Sequence, residues 1–148
     1  MAIAVSRTFG PVIAERTLTT AGVRPKTITI TLGKPRLPKG ERDWECPFRI
    51  AGGGIRVLEN GYGVDSMQSV TNALQGIRYF LDKSGKSFEW LGVPMDDGGF
   101  QRFIPWYGDS RFTRKLEKLV DSEVKREGTR LRRRHKKTPR ASTAGRRS

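Results

Sequence analysis

Hydrophobic and polar residues alternate along the first half of the chain, then recur every three or four residues in two later stretches. The clearest alternation is Thr27 to Leu32. Ile28, Ile30 and Leu32 point one way and Thr27, Thr29 and Thr31 the other, as in a strand with one dry and one wet face. Val12 to Thr20 alternates less regularly, with Val12, Ala14 and Leu18 on one side. The turn chemistry of Ala21-Gly22-Val23-Arg24-Pro25 separates these two strands. After a loop rich in proline and lysine, Trp44, Cys46, Phe48 and Ile50 share a face. Pro47 lacks an amide hydrogen and fits an edge position or a bulge. Gly52-Gly53-Gly54 predicts a hairpin turn into a fourth strand, Ile55 to Glu59. Ser87 to Leu91 predicts a fifth, with Phe88 and Trp90 on one face.

The first helical stretch runs from Tyr62 to Gly85. Met67, Val70, Leu74, Ile77 and Leu81 follow one another at spacings of three and four, widened by Ala73 and Phe80. Asp65 suits the N-cap, because its carboxylate can accept first-turn amide hydrogens. Gln68, three residues on, can complete a capping box, and Gly85 suits the position after the last turn. The polar opening Gly61 to Ser66 also has the look of an anion site at a helix start. A carboxylate at its mouth would repel an anion, so capping explains it better. A second helix is predicted from about Ser110 to Glu127, capped by Asp109. Phe112, Leu116, Leu119, Val120 and Val124 form its apolar side, and Gly128 ends it.

These elements predict an α+β fold: an antiparallel meander of four to five strands, with the Met67–Leu81 helix across its apolar face. A second, C-terminal helix and a disordered basic tail complete it. The expected organisation is a flexible lead-in at 1–11, an α+β domain at 12–107, a C-terminal helix at 108–128 and a disordered tail at 129–148.

Composition changes this picture in two ways. The 148 residues contain one cysteine, which excludes an intrachain disulfide and a multi-cysteine metal site and favours a reducing compartment. No signal-peptide run opens the chain, and no stretch approaches the roughly 20 apolar residues of a membrane span. A cytoplasmic protein is expected, or a nuclear one in a eukaryotic host, where RLRRRHKK would pass as a nuclear address.

The second change is charge. The net charge is +14, and residues 129–148 carry nine basic residues and no acid, leaving +5 for the rest. Arg130, Arg132, Arg133, Arg134, Lys136, Lys137 and Arg140 are the candidate nucleic-acid contacts. Such cations displace counterions from phosphates, at roughly 0.9 log units of affinity per phosphate per log of salt. With no aromatic residue among them, they would contact backbone and carry little sequence information. An anionic membrane or acidic protein is a competing partner, and a merely solubilising tail a third reading.

The remaining motifs have plainer explanations. Ser84-Gly85-Lys86-Ser87 ends like a phosphate-binding loop, but the required earlier glycine is replaced by Phe80 and the segment follows a helix. Asp96-Asp97-Gly98-Gly99 offers too few oxygens for calcium and reads as a solvated turn. His135, the only histidine, lies inside the cationic run and is poorly placed as a general base. Cys46 reads as core. Glu15, Asp65, Asp96 and Asp97 are the acids available to an enzyme, with no order among them. The aromatics Phe100, Phe103, Trp106, Tyr107 and Phe112, interleaved with Arg102 and Arg111, fit base stacking or, better, a core plug. No catalytic residue, metal ligand, cofactor or small-molecule ligand is assigned.

Three segments together carry a resemblance. Asp43-Trp44-Glu45-Cys46-Pro47-Phe48-Arg49-Ile50, then Tyr62-Gly63-Val64-Asp65-Ser66-Met67-Gln68 through Ala73-Leu74-Gln75-Gly76-Ile77, and Trp90-Leu91-Gly92 with Gly99-Phe100 resemble an uncharacterised family of small bacterial domains of unknown function. The likeness covers about Ile13 to Pro105. It implies a compact α+β body in a bacterial cytoplasm and supplies no catalytic residue. The expected function is a non-catalytic binding or accessory protein whose tail associates with nucleic acid. The alternatives are a protein-interaction or regulatory module using a sheet edge or the aromatic segment, and an acid-dependent hydrolase.

Overall fold

The computed structural model describes residues 9–103 and 109–137. The chain divides into two units, Met1–Phe103 and Ile104–Ser148. The first unit is an α+β body. Its strands are β1 (Val12–Thr20), β2 (Thr27–Gly33), β3 (Trp44–Gly52), β4 (Ile55–Gly63), β5 (Phe88–Trp90) and β6 (Val93–Pro94), with helix α1 (Ser66–Lys83) between β4 and β5. The second unit contains helix α2, Ser110–Lys137.

All six strands pair antiparallel in the order β4-β3-β2-β1-β5-β6. The first four form the expected meander. The fifth departs from it, because β5 pairs with β1 through Thr19↔Glu89 and Thr20↔Phe88 rather than extending the sheet beyond β4. The helix makes this possible: its 18 residues rise about 27 Å, enough to recross a sheet whose strands lie about 4.8 Å apart. A sixth strand, two residues long and ending in Pro94, closes the β5 side. A short, proline-bearing edge resists pairing with another chain.

The alternating pattern of β2 and β3 survives in the fold. Ile28, Ile30, Leu32, Cys46, Phe48 and Ile50 are buried beneath α1 with Leu18, Phe88 and Phe100. Pro47 lies in an inner strand and in unbroken register with Asn60, at neither the edge nor the bulge expected of it. The β2–β3 ladder stops at Leu32↔Phe48, one residue before Pro47, so that ladder needs no hydrogen from it. Gly53 and Gly54, both at positive φ, form the two-residue β3–β4 turn.

The buried seam of α1 differs from the expected stripe. Ser69, Ala73, Ile77 and Leu81 are buried, Val70, Leu74 and Phe80 pack against the core from its margin, and Met67 is 78% exposed. The cause is the strand beneath. A Cβ on Gly61 would stand 2.1 Å from the Ala73 nitrogen, and one on Gly63 2.5 Å from the Ser69 nitrogen. Backbones this close admit only small residues between them, so Ser69 and Ala73 turn inward and Met67 outward.

Phe9 to Pro11, in the expected lead-in, lie against the sheet. Lys34 donates its amide hydrogen to the Pro11 carbonyl at 2.8 Å, and the Arg49 guanidinium sits 5.1 Å from the Phe9 ring centroid. Residues 1–8 lie outside the described ones.

Candidate nucleic-acid interface

Helix α2 begins where Asp109 caps it. The Arg111 amide donates to Asp109 Oδ1 at 2.8 Å, and the Thr113 amide donates to the Asp109 carbonyl. It does not end at Gly128. The helix continues to Lys137, so residues 129–137 of the expected tail are helical, and 138–148 lie outside the described residues. A single interior glycine costs about 1 kcal/mol. Strong helix formers on both sides offset that cost, as do the ion pairs Glu123–Arg126 and Glu127–Arg130, each at a spacing of three.

Helical geometry sorts the charges of α2 onto faces. Lys125, Arg126, Thr129, Arg133 and Lys136 line one shallow face together with Ser122. Arg111, Arg114, Lys115 and Lys118 line its upstream continuation, which also includes Ser122. Ser122 therefore joins the two into one run of cations from Arg111 to Lys136. None of the acids Glu117, Asp121, Glu123 and Glu127 lines it. Leu119, Val120, Val124 and Leu131 are exposed, and the last three fall on the other side of the helix.

The sequence-derived contacts divide accordingly. Arg130, Arg133, Arg134 and Lys136 line this face, although Arg130 is also tied to Glu127. Arg132 stands about 100° round the axis from Arg133. Lys137 is the last helical residue, and Arg140 lies outside the described residues. A helix end at Gly128 would separate the upstream cations from the tail; the continuous helix joins them. The available signal was the spacing of Arg111, Lys115, Lys118, Ser122, Lys125, Thr129, Arg133 and Lys136, always three or four.

In the body, polar groups at the other candidate sites are engaged in structure. Asp65 stands at the N-cap of α1, its Oδ1 accepting from the Gln68 amide at 2.7 Å. Gln68 Oε1 accepts from the Val64 amide at 2.8 Å, one residue earlier than in a capping box. Gly61, Tyr62 and Gly63 of the polar opening are strand residues, and Asn72 donates to the Tyr62 carbonyl. Asp97 organises the turn of residues 96–99, accepting from the Gly99 amide at 2.8 Å, and pairs with Arg78 at 3.7 Å.

A cavity of about 340 Å³ on the sheet face away from α1 is bounded by Arg36, Pro38, Asn60 and Tyr62. Its innermost acid, Glu45, accepts from Arg36 Nε at 2.6 Å and from Asn60 at 3.3 Å. Oε1 thus holds the 34–43 loop against β3, while Oε2 ties β3 to β4. Cys46 is fully buried, its thiol directed at the Gly33 carbonyl at 3.4 Å. Burial raises its pKa from 9.0 to about 11, far from a nucleophile's range. Of the aromatics, Phe100 is buried and Phe103 is 39% exposed; Trp106 and Tyr107 lie outside the described residues. Among those residues, no group of three His, Cys, Asp or Glu side chains could hold a metal ion, and no helix is long and apolar enough to cross a membrane.

A family model described as a domain of unknown function, DUF6968, matches residues 14–102. The chain belongs to the DUF6968 family. The match runs from within β1 to beyond β6, and α2 lies outside it. No curated protein and no solved structure matches the chain.

Proposed function

We propose that this DUF6968 protein is a non-catalytic binding or accessory protein that associates with nucleic acid through its basic C-terminal segment, without sequence preference. The observation that carries this reading is the acid-free cationic face of α2. Cations on one face can meet several phosphates at once and release their counterions. The face carries no aromatic residue, so it has nothing to stack on bases. Its contacts are with the sugar–phosphate backbone, which positions a protein but does not read sequence. The buried thiol of Cys46 suits a reducing cytoplasm.

The test is fluorescence anisotropy of the full chain with a labelled oligonucleotide, across a salt series. Engaging about six phosphates gives a slope of log K against log salt near −5. Replacing Arg130, Arg132, Arg133 and Arg134 together by Gln should flatten that slope by about 3 to 4. Binding unchanged by this substitution removes the segment from the function.

A further inference from the structure

We infer that the partner of α2 is a double-stranded nucleic acid, engaged along the whole helix from Arg111 to Lys136 rather than by the terminal basic run alone. This rests on the nucleic-acid reading above and adds two claims to it. One is the class of ligand. The other is a set of contacts, Arg111, Lys115 and Lys118, that lie up to eighteen residues before the basic run begins at Thr129.

The geometry supplies both. The two cationic stretches meet at Ser122 and form one face. Between Arg111 and Lys136 the helix rises about 38 Å, with successive turns 5.4 Å apart. That length slightly exceeds one turn of B-form duplex, which is about 34 Å. A helix with regularly spaced cations suits a ligand whose phosphates are already held in a regular array. A duplex holds one charge per roughly 1.7 Å of axis, and its major groove is about 12 Å wide, enough to admit a helix. A single strand would have to give up its flexibility to match the helix. Proteins that bind single strands recover that cost by stacking bases on aromatic side chains, and this face has none.

The exposed apolar residues do not compete for the same ligand. Val120, Val124 and Leu131 lie across the helix from the cations, on the side where Glu123 and Glu127 project. Those carboxylates repel phosphate and are paired with Arg126 and Arg130. The face that includes Ser122 and Thr129 is lined by cations and by no acid, although Arg126 and Arg130 on it are the partners of those two carboxylates.

The experiment measures binding of the full chain to a 20-base-pair labelled duplex and to one of its strands, about 20 nucleotides long, in parallel salt series. Three proteins are compared: the wild type, Arg111→Gln/Lys115→Gln/Lys118→Gln, and Lys125→Gln/Arg133→Gln/Lys136→Gln. A second version of each triple uses Ala, and circular dichroism checks that helix content is kept. The expected result is at least about tenfold tighter binding to the duplex, and a loss of about 2 to 3 in salt slope for either triple variant. Equal or tighter binding to the single strand overturns the ligand assignment. An unchanged slope in the Arg111 triple, with the Lys125 triple impaired, overturns the full-length interface while leaving the proposed function standing. Failure of the wild type to bind either probe overturns both.

Discussion

The backbone of Gly61 lies so close to that of Ala73 that a Cβ on the glycine would stand 2.1 Å from the alanine nitrogen and 2.5 Å from the Ser69 carbonyl oxygen. This approach decides how α1 sits on the sheet. The atoms in the way are backbone and cannot swing aside as a side-chain tip would. Gly61→Ala therefore requires α1 to lift from β4, and the expected loss of stability is about 3 kcal/mol. Urea denaturation followed by circular dichroism measures it. Met67→Ala, on the exposed side of the same helix, should change stability by less than about 0.5 kcal/mol.

Arg16 holds the β5–β6 end of the sheet. Its guanidinium lies 4.1 Å from the Trp90 ring centroid and 4.4 Å from that of Phe100, and it donates to the Gly98 carbonyl at 3.1 Å. Arg16→Ala removes both ring contacts and the hydrogen bond. The expected cost is about 1–2 kcal/mol, with a change in tryptophan emission as Trp90 gains water. Arg16→Lys keeps the charge but loses the planar stack and should fall between the two.

Thr31 contributes an opposite effect. Its side chain is buried on the face away from α1, and its hydroxyl has no hydrogen-bond partner among the described residues. Thr31→Val keeps the shape and removes an unpaired polar group. Stability should rise by about 1 kcal/mol, seen as a higher denaturation midpoint with an unchanged slope.

Burial of Cys46 raises the thiol pKa from 9.0 to about 11. The folded state therefore holds this proton more tightly than the unfolded chain. That stabilisation is complete below pH 9 and is lost as pH rises from 9 through 11. At 1.36 kcal/mol per pKa unit, the loss is on the order of 2–3 kcal/mol. It appears as a fall in denaturation midpoint over that range, which Cys46→Ala should lack. In the native protein at pH 8, a thiol reagent should modify Cys46 only at the rate of opening, and promptly once denaturant is added.

Gly128 tests the continuity of α2. A Cβ there would meet nothing within 4 Å, and the backbone is helical. Gly128→Ala should raise helix content and stabilise the helix by about 0.8–1 kcal/mol, whereas Gly128→Pro should break it at a cost of about 3 kcal/mol. Circular dichroism at 222 nm follows both. If the full cationic face binds duplex, the alanine variant keeps or improves affinity, and the proline variant loses it even though every cation remains.

The strands and the core were largely legible in the chain. Ile28, Ile30 and Leu32 alternate with threonines, and Trp44, Cys46, Phe48 and Ile50 repeat at intervals of two. One-sided burial needs only that periodicity, whatever the neighbouring strand may be. The charge of the C-terminal segment was equally plain. Its division into faces was less so, because Gly128 is an ordinary local stop signal, and the continuation of α2 depends on the helix formers and ion pairs around it.

The sequence by itself determined which residues of β2 and β3 avoid water, where α1 starts and how strongly basic the chain's end is, because these follow from local spacing, side-chain polarity and residue counts. Only the tertiary structure decided that β5 lies beside β1, that Met67 faces solvent while Ser69 turns inward beside Ala73, and that Glu45 is enclosed by Arg36 and Asn60. Those outcomes depend on how closely distant backbones approach, and neither Gly61 nor the 34–43 loop declares its neighbour until the sheet has formed.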